Sequence, residues 1–350
     1  MLSYGAASCS LDLETPGKRS GFISLNHSDN RHAFSTIQIP IGVIKGGDGP
    51  TVILSAGNHG DEYEGQVLLH RLMQALTPEQ VPGRVIILPA LNLPAVLDRA
   101  RVSPLDQGNM NRAFPGMLDA GPTRLIAGFV TRHLIQRADV ILDFHSGGTA
   151  TEYVNCGFYK IGPNPELNLQ NLHLADCFGA PFTMVRASDG TGGDFDTAAY
   201  NAGTRFLSVE LGGMGRFSPA AFRIGWDGCS RVLKGAGVLL PDALGHTPEA
   251  GETCFIDIHA ASAHVSADHH GLAALDCPLG TWVERGQKLG EIFDIHNLGA
   301  PPQSVTASRA GVLAVVRRNP LVSPGDHLCL ICDEIPRDVL MSRVRCDAQA

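Results

Sequence analysis

A chain of 350 residues has room for one large domain and a smaller companion. Hydrophobic residues make up 44% and charged residues 18%, enough to fill a sizeable core, which excludes wholesale disorder. A formal net charge of −8 argues against nonspecific binding to nucleic acid or to an anionic membrane, although a local arginine pair can still hold a small anion. Residues 1–20 lack the basic start and apolar centre of a secretory signal, and no apolar run reaches 18 residues. The nine cysteines are scattered and odd in number, which suits a reducing compartment, so a cytoplasmic protein is expected. Only Cys329 and Cys332 form a C-x-x-C; they sit in an apolar stretch with no second pair and read as buried strand residues.

Residues 1–50 read as a strand-rich opening segment, with partial alternation over 33–40 and a turn at 46–50. From 51 to about 240, apolar strands alternate with amphipathic helices. Strands are predicted at 51–56, 84–89, 140–144, 182–185 and 205–211, and helices near 63–76, 122–137 and 219–240. The first helix would bury Val67, Leu68, Leu72 and Leu76; the second, Leu125, Phe129, Val130 and Leu134. This alternation predicts an α/β fold with a largely parallel sheet covered by helices. Beyond 241–251 the pattern changes to short β-like runs separated by glycines. The division expected is therefore an α/β domain over 1–245 and a small antiparallel β domain, sandwich- or barrel-like, over 246–350. The turns at 286–290 and 322–326 are similar to those of biotinyl and lipoyl carriers. The one lysine there, Lys288, lacks flanking methionines, which counts against a covalently modified carrier.

Three strand ends carry candidate chemistry. The run 51–56 leads into Gly57-Asn58-His59-Gly60-Asp61-Glu62, an imidazole and a carboxylate on one short turn at the edge where open α/β sheets bind ligands. The run 140–144 leads into His145 and two glycines, so His59, Glu62 and His145 could enclose one zinc ion with a position left open. Asp143 leaves the strand on the same face as His145 and could orient a ligand histidine; a structural Asp–His pair is the plainer reading. Glu210 ends the apolar run 206–209 and must be paired, neutralised or used. General acid/base work beside a metal is one reading, and a buried salt bridge to Arg205 or Arg216 is the other.

Two loops add further candidates. The stretch 106–116 has little periodicity and carries Asn111 and Arg112, suited to a carboxylate, with Arg99 and Arg101 upstream. Arg101 could face a developing oxyanion, whereas Arg99 reads as a surface residue. The acidic loop Asp189–Asp196 lacks the lysine of a phosphate-binding loop; Asp194 is the candidate for a substrate ammonium. His259, His264, His269 and His270 have no fixed ligand spacing and read as a solvated strand.

Together these pieces resemble the succinylglutamate desuccinylase/aspartoacylase family, relatives of the zinc carboxypeptidases. The family's G-x-H-G-x-E corresponds to Gly57–Glu62, its N-R to Asn111-Arg112, its D-x-H to Asp143–His145 and its E-x-G to Glu210–Gly212. The resemblance covers most of the chain and implies a zinc-carboxypeptidase-like fold with one zinc ion per chain, held by His59, Glu62 and His145. It implies Glu210 as catalytic acid/base and Asn111 with Arg112 on the substrate carboxylate. The upstream arginine is spaced differently from that of aspartoacylase, so Arg101 is a choice and not a match. Within the family, residues 57–65 and 109–116 are most similar to the bacterial deacetylases of ectoine breakdown, which act on N-acetyl-2,4-diaminobutyrate. The expected activity is zinc-dependent hydrolysis of an N-acyl amino acid. Another N-acyl substrate, a metallocarboxypeptidase and a metal-stabilised binding or carrier module are the alternatives. The expected partner is that small molecule, with no nucleic acid or membrane; a homo-oligomer stays open.

Overall fold

The computed structural model describes residues 1–28, 33–188, 190–258 and 263–345. At its centre lies the strand Thr51–Ala56, with Arg84–Leu88 parallel on one side and Val140–His145 parallel on the other. Arg205–Glu210 continues the sheet parallel to Val140–His145. Cys156–Ile161 then runs antiparallel to Arg205–Glu210 and parallel to Phe182–Ala187, which in turn pairs in parallel with Cys254–Asp257. At the other flank, the long hairpin of Gly17–His27 and Ser35–Lys45 joins antiparallel to Arg84–Leu88. The sheet is therefore mixed, with a parallel centre.

Helices cover both faces, which is why the central strands are continuous apolar runs instead of alternating ones. Val52, Leu54, Val140, Leu142, Leu207 and Val209 point to one face, toward the helices Glu64–Ala75, Pro165–Phe178 and Pro219–Gly235. Ile53, Ile141 and Phe206 point to the other, where Pro122–His133 contributes Ile126, Phe129 and Val130. Helix Glu64–Ala75 buries Leu69 where Val67 was expected; Leu68, Leu72 and Leu76 lie inside as read. Helix Pro122–His133 buries Ile126 where Leu125 was expected to lead, and Leu125 packs at the margin. The helix Pro165–Phe178 has no counterpart in the sequence reading. It starts on Pro165, and the Asn164 side chain accepts the N–H groups of Glu166 and Leu167 at 3.1 and 3.2 Å.

After residue 258 the chain forms short strands. Gln303–Thr306, Lys288–Phe293, Gly271–Leu275 and Leu321–Val322 make a four-stranded antiparallel sheet. Across from it run Gly311–Arg317 and His327–Glu334, with Val283, Leu289, Leu313, Leu328 and Ile331 filling the space between. Cys329 and Cys332 are buried in His327–Glu334, as read. His264 lies exposed on the strand His264–Ser266, and His269 and His270 are exposed beyond it; His259 and Asp189 lie outside the described residues. The closing helix Arg337–Arg345 returns to the large sheet and buries Leu340 and Val344 in its core. Among the described residues no helix is long and apolar enough to cross a membrane.

The register decides where chemistry can occur. His145 pairs with Glu210, and Ser55 with Asp143, so three strands end at one edge of the sheet. Ile141, Asp143 and His145 leave the same face as Phe206, Ser208 and Glu210, because neighbours in register share a side. The turns behind His145 and Glu210 are tied together: Leu211 donates to the His145 carbonyl at 2.9 Å and Gly147 to the Gly212 carbonyl at 3.0 Å. Residues Thr151–Tyr153 then pair with Gly311–Arg317, which brings the C-terminal strands against this edge.

Candidate active site

The strand Thr51–Ala56 turns sharply at Gly57, whose φ of 69° favours glycine. A Cβ on Gly60 would sit 2.0 Å from the Ala95 carbonyl oxygen, so the turn can lie flat against its neighbour only without a side chain. Asp61 locks this turn to the one behind His145, accepting from the Thr149 N–H and hydroxyl at 2.7 and 2.8 Å. Gln66 donates to the Glu62 carbonyl at 2.8 Å.

On this base the Glu62 carboxylate lies between two imidazoles. His59 Nδ1 is 2.7 Å from Oε1, and His145 Nδ1 is 2.9 Å from Oε2, which also accepts the Ser146 N–H at 3.2 Å. All three side chains are buried. The ring centroids of the two histidines are 5.1 Å apart. Each remote nitrogen meets an acceptor: His145 Nε2 lies 2.7 Å from Asp143 Oδ2, and His59 Nε2 lies 3.2 Å from Asn109 Oδ1. Asn109 Oδ1 also accepts the Asn111 N–H at 2.9 Å, which fixes that amide's orientation. With Nε2 as donor in both rings, both Nδ1 lone pairs face inward, the tautomer a metal requires. One nitrogen or oxygen from each of His59, Glu62 and His145 lies within 4.8 Å of the others. Among the described residues this is the one such group of three. Two imidazoles and a carboxylate, each supported from behind, fit a metal with an open position.

The charges are strongly coupled. Burial alone would raise the Glu62 carboxyl, but His59 and His145 outweigh it and hold it far below the usual carboxylate range. Burial opposes a charge on His145, yet Asp143 and Glu62 raise it well above an ordinary imidazole. Glu210 behaves differently. Burial pushes its carboxyl up to about 8; His145 and Arg101 pull it down, Glu62 and Asp143 push it further up. Its Oε2 is shut from solvent without a hydrogen-bond partner, and it forms no salt bridge with Arg205 or Arg216 among the described residues. Arg205 instead donates to the Asp139 carbonyl at 3.0 Å.

A cavity of about 270 Å³ opens over these groups. Arg101, Asn111, Arg112 and Asp194 all reach its wall. Arg101 lies 3.6 Å from Glu62 and is half exposed. Arg99 ends the helix Leu93–Asp98 in a left-handed conformation and is not on that wall. Asn111 Oδ1 accepts the Phe195 N–H at 3.0 Å, which leaves its NH₂ as the free end. Asp194 has taken partners of its own: it caps the helix Phe195–Asn201 through the Thr197 N–H at 3.1 Å and pairs with Lys160 at 2.6 Å. Asp196 shares the same lysine at 2.8 Å.

The sequence does not single out Asn109, Asp61 or Lys160 for these contacts. Lys160 carried a signal, being the only lysine between Lys45 and Lys234. Asp61 and Asn109 carried little, since their partners lie 88 and 50 positions away.

Two imidazoles and a carboxylate at the carboxyl edge of a helix-covered sheet define one class of α/β protein. The model of the succinylglutamate desuccinylase/aspartoacylase catalytic domain matches residues 48–236. The chain belongs to this family. Among relatives, N-alpha-acetyl-L-2,4-diaminobutyric acid deacetylase of Halomonas elongata is 36% identical over 328 residues, 94% of this chain and 95% of that protein. The product-bound ectoine utilization protein EutE (DoeB) from Ruegeria pomeroyi is similar with a TM-score of 0.89 at 34% identity, covering 95% of this chain and 100% of that one. The succinylglutamate desuccinylase/aspartoacylase from Rhodobacter sphaeroides gives a TM-score of 0.87 at 32% identity, with 95% and 100% covered.

Proposed function

We propose that this protein is a zinc-dependent deacylase that hydrolyses the amide bond of an N-acyl amino acid, with N-acetyl-2,4-diaminobutyrate as the substrate. The observation that carries the reading is the convergence of His59 Nδ1, His145 Nδ1 and Glu62 beside the unpaired Glu210 carboxyl. The substrate is suggested by the Halomonas relative, aligned over nearly all of both chains.

We assign the metal to His59, Glu62 and His145, oriented by Asp143 and Asn109. A zinc ion bound there supplies Lewis acidity and lowers the pKa of water to around 7. Glu210 takes the proton from the attacking water and passes it to the leaving nitrogen, so that the C–N bond breaks to give acetate and a free amine. Burial raises this carboxyl above an ordinary one, which makes it a better proton acceptor than an exposed glutamate. Arg101, reaching the same wall, faces the oxyanion that develops at the acyl carbon. Asn111 and Arg112 hold the substrate carboxylate, which positions the amide over the metal.

Asp194 is assigned to the substrate's free ammonium. Lys160 is shared by Asp194 and Asp196, leaving the cluster one negative charge in excess when both carboxylates are ionised. Burial first, then Asp194, raises Asp196 to about 7, so that excess charge develops as pH rises through neutrality. Arg112→Ala should raise KM for every N-acetyl amino acid about 10–100-fold with a smaller change in kcat. Asp194→Asn should raise KM only for substrates carrying the extra amine. Acetate release from a panel with and without that amine checks both; equal effects of Asp194→Asn on the two groups would remove the ammonium role.

A peptide-cleaving carboxypeptidase is disfavoured by the cavity's size and by Ile258 and Tyr153 on its wall, where the C-terminal strands abut the site. A binding module without turnover would have no use for Glu210. We also take 1–245 as an α/β domain and 246–350 as carrying a second, small β domain, on the separate apolar cluster around Val283 and Leu313, with Cys254–Asp257 and Arg337–Arg345 joining the sheet and core of the first. A cytoplasmic location is inferred from the described cysteines, all of them free.

A further inference from the structure

Four basic side chains reach the cavity wall: Arg101, Arg112, Lys160 and Arg186. Two are already answered by carboxylates, Arg101 by Glu62 at 3.6 Å and Lys160 by Asp194 and Asp196 at 2.6 and 2.8 Å. Arg112 donates to the neighbouring Asn111 carbonyl and has no carboxylate partner. The Arg186 side chain makes no hydrogen bond or ion pair with any described residue. It stands near the end of Phe182–Ala187, in parallel register with Lys160, so the two side chains leave the same face of the sheet.

The substrate's carboxylate, entering this cavity, meets four carboxylates of the protein: Glu62, Glu210, Asp194 and Asp196. Each engaged cation is tied to one or two of them, so the attraction for an anion must come from the cations that remain. A guanidinium presents a rigid pair of donors, and the two oxygens of one carboxylate can accept from two such groups at once. One arginine at an exposed wall is weakened by solvent; two converging on the same anion are weakened less.

We propose that Arg186 is a second guanidinium for the α-carboxylate of the N-acyl amino acid, acting with Arg112 to select free acids over their uncharged amides. The inference rests on the deacylase reading and adds a specificity-determining residue to it. Arg186 belongs to a different strand from the Asn111-Arg112 loop, so the carboxylate is held from two sides and the acyl group is aimed at the metal ligands.

The test compares N-acetyl-2,4-diaminobutyrate with its carboxamide, using the wild type, Arg186→Gln and Arg186→Lys in the zinc-loaded full chain. Expected for Arg186→Gln is a rise of about 10–100-fold in KM for the acid, most of the loss in KM and not in kcat, and a collapse of the acid-over-amide preference. Arg186→Lys should recover part of that preference, because charge returns without the fork. Matching thermal unfolding of the three proteins keeps folding out of the comparison. An unchanged KM for the acid, or equal losses on acid and amide, overturns the role of Arg186 and leaves the deacylase standing. A wild type that binds zinc yet releases acetate from no N-acetyl amino acid overturns both.

Discussion

Glu210→Gln is expected to lower kcat about 10³-fold while leaving zinc content and KM close to those of the wild type. The glutamine keeps the size of the side chain and a carbonyl oxygen but cannot take up and return a proton. Its surroundings suit Glu210 to that proposed exchange. Burial raises it to about 8, its Oε2 has no partner, and its register with His145 places it beside the proposed metal ligands. Removing a carboxyl held above its ordinary value should not cost stability near neutral pH. A raised carboxyl pKa contributes stability below the unfolded value, and this is lost as pH rises toward 8; an uncharged amide escapes that loss. Single-turnover acetate release and metal analysis of the variant are the measurements. Turnover within threefold of wild type would show that another group carries the proton.

The second large effect is expected from His145→Ala. The change removes one proposed metal ligand and leaves Asp143 Oδ2 with only the Asn58 amide at 3.2 Å. It also leaves Glu62 with one imidazole in place of two. A fully buried carboxylate deprived of its main partner costs about 3–5 kcal/mol. Both zinc and stability should therefore fall, and a chelator should destabilise the wild type but not the variant. Asn109→Ala should act more mildly, by loosening His59 without removing a ligand, with a loss of about 10–100-fold in metal affinity. Urea unfolding with and without chelator, alongside zinc titration, separates these outcomes. A His145→Ala protein that still holds one zinc per chain would remove His145 from the ligand set.

The parts of this account that were legible in the sequence share one property: they depend on short stretches of chain. Residues 51–56, 140–145 and 205–210 read as buried strands because both faces are covered, leaving unbroken apolar runs. Their polar ends stood out against those runs, so His59, Glu62, His145 and Glu210 could be singled out and then supported by the family resemblance. Asp143 was legible because i and i+2 share a face of a strand. What escaped depends on distant partners. Nothing near Asn109 reveals that it meets His59, nor near Asp61 that it fastens Thr149. The helix Pro165–Phe178 escaped because Asn168 and Asn171 interrupt its apolar face. Both are buried there, with Asn168 bonding the Gly162 backbone and Asn171 accepting the Phe206 N–H. Asp194 looked available because its cation, Lys160, comes from another strand. Arg186 is not singled out because the acidic stretch 189–196 behind its strand draws attention to Asp194 instead.

Anomalous scattering at the zinc edge, from crystals of protein assayed for acetate release beforehand, tests the central claim most directly. One peak per chain is expected, about 2.0–2.3 Å from His59 Nδ1, His145 Nδ1 and a Glu62 carboxylate oxygen, with Glu210 outside that shell. Active crystals with no peak between those three side chains, or with the metal held elsewhere in the chain, would contradict it.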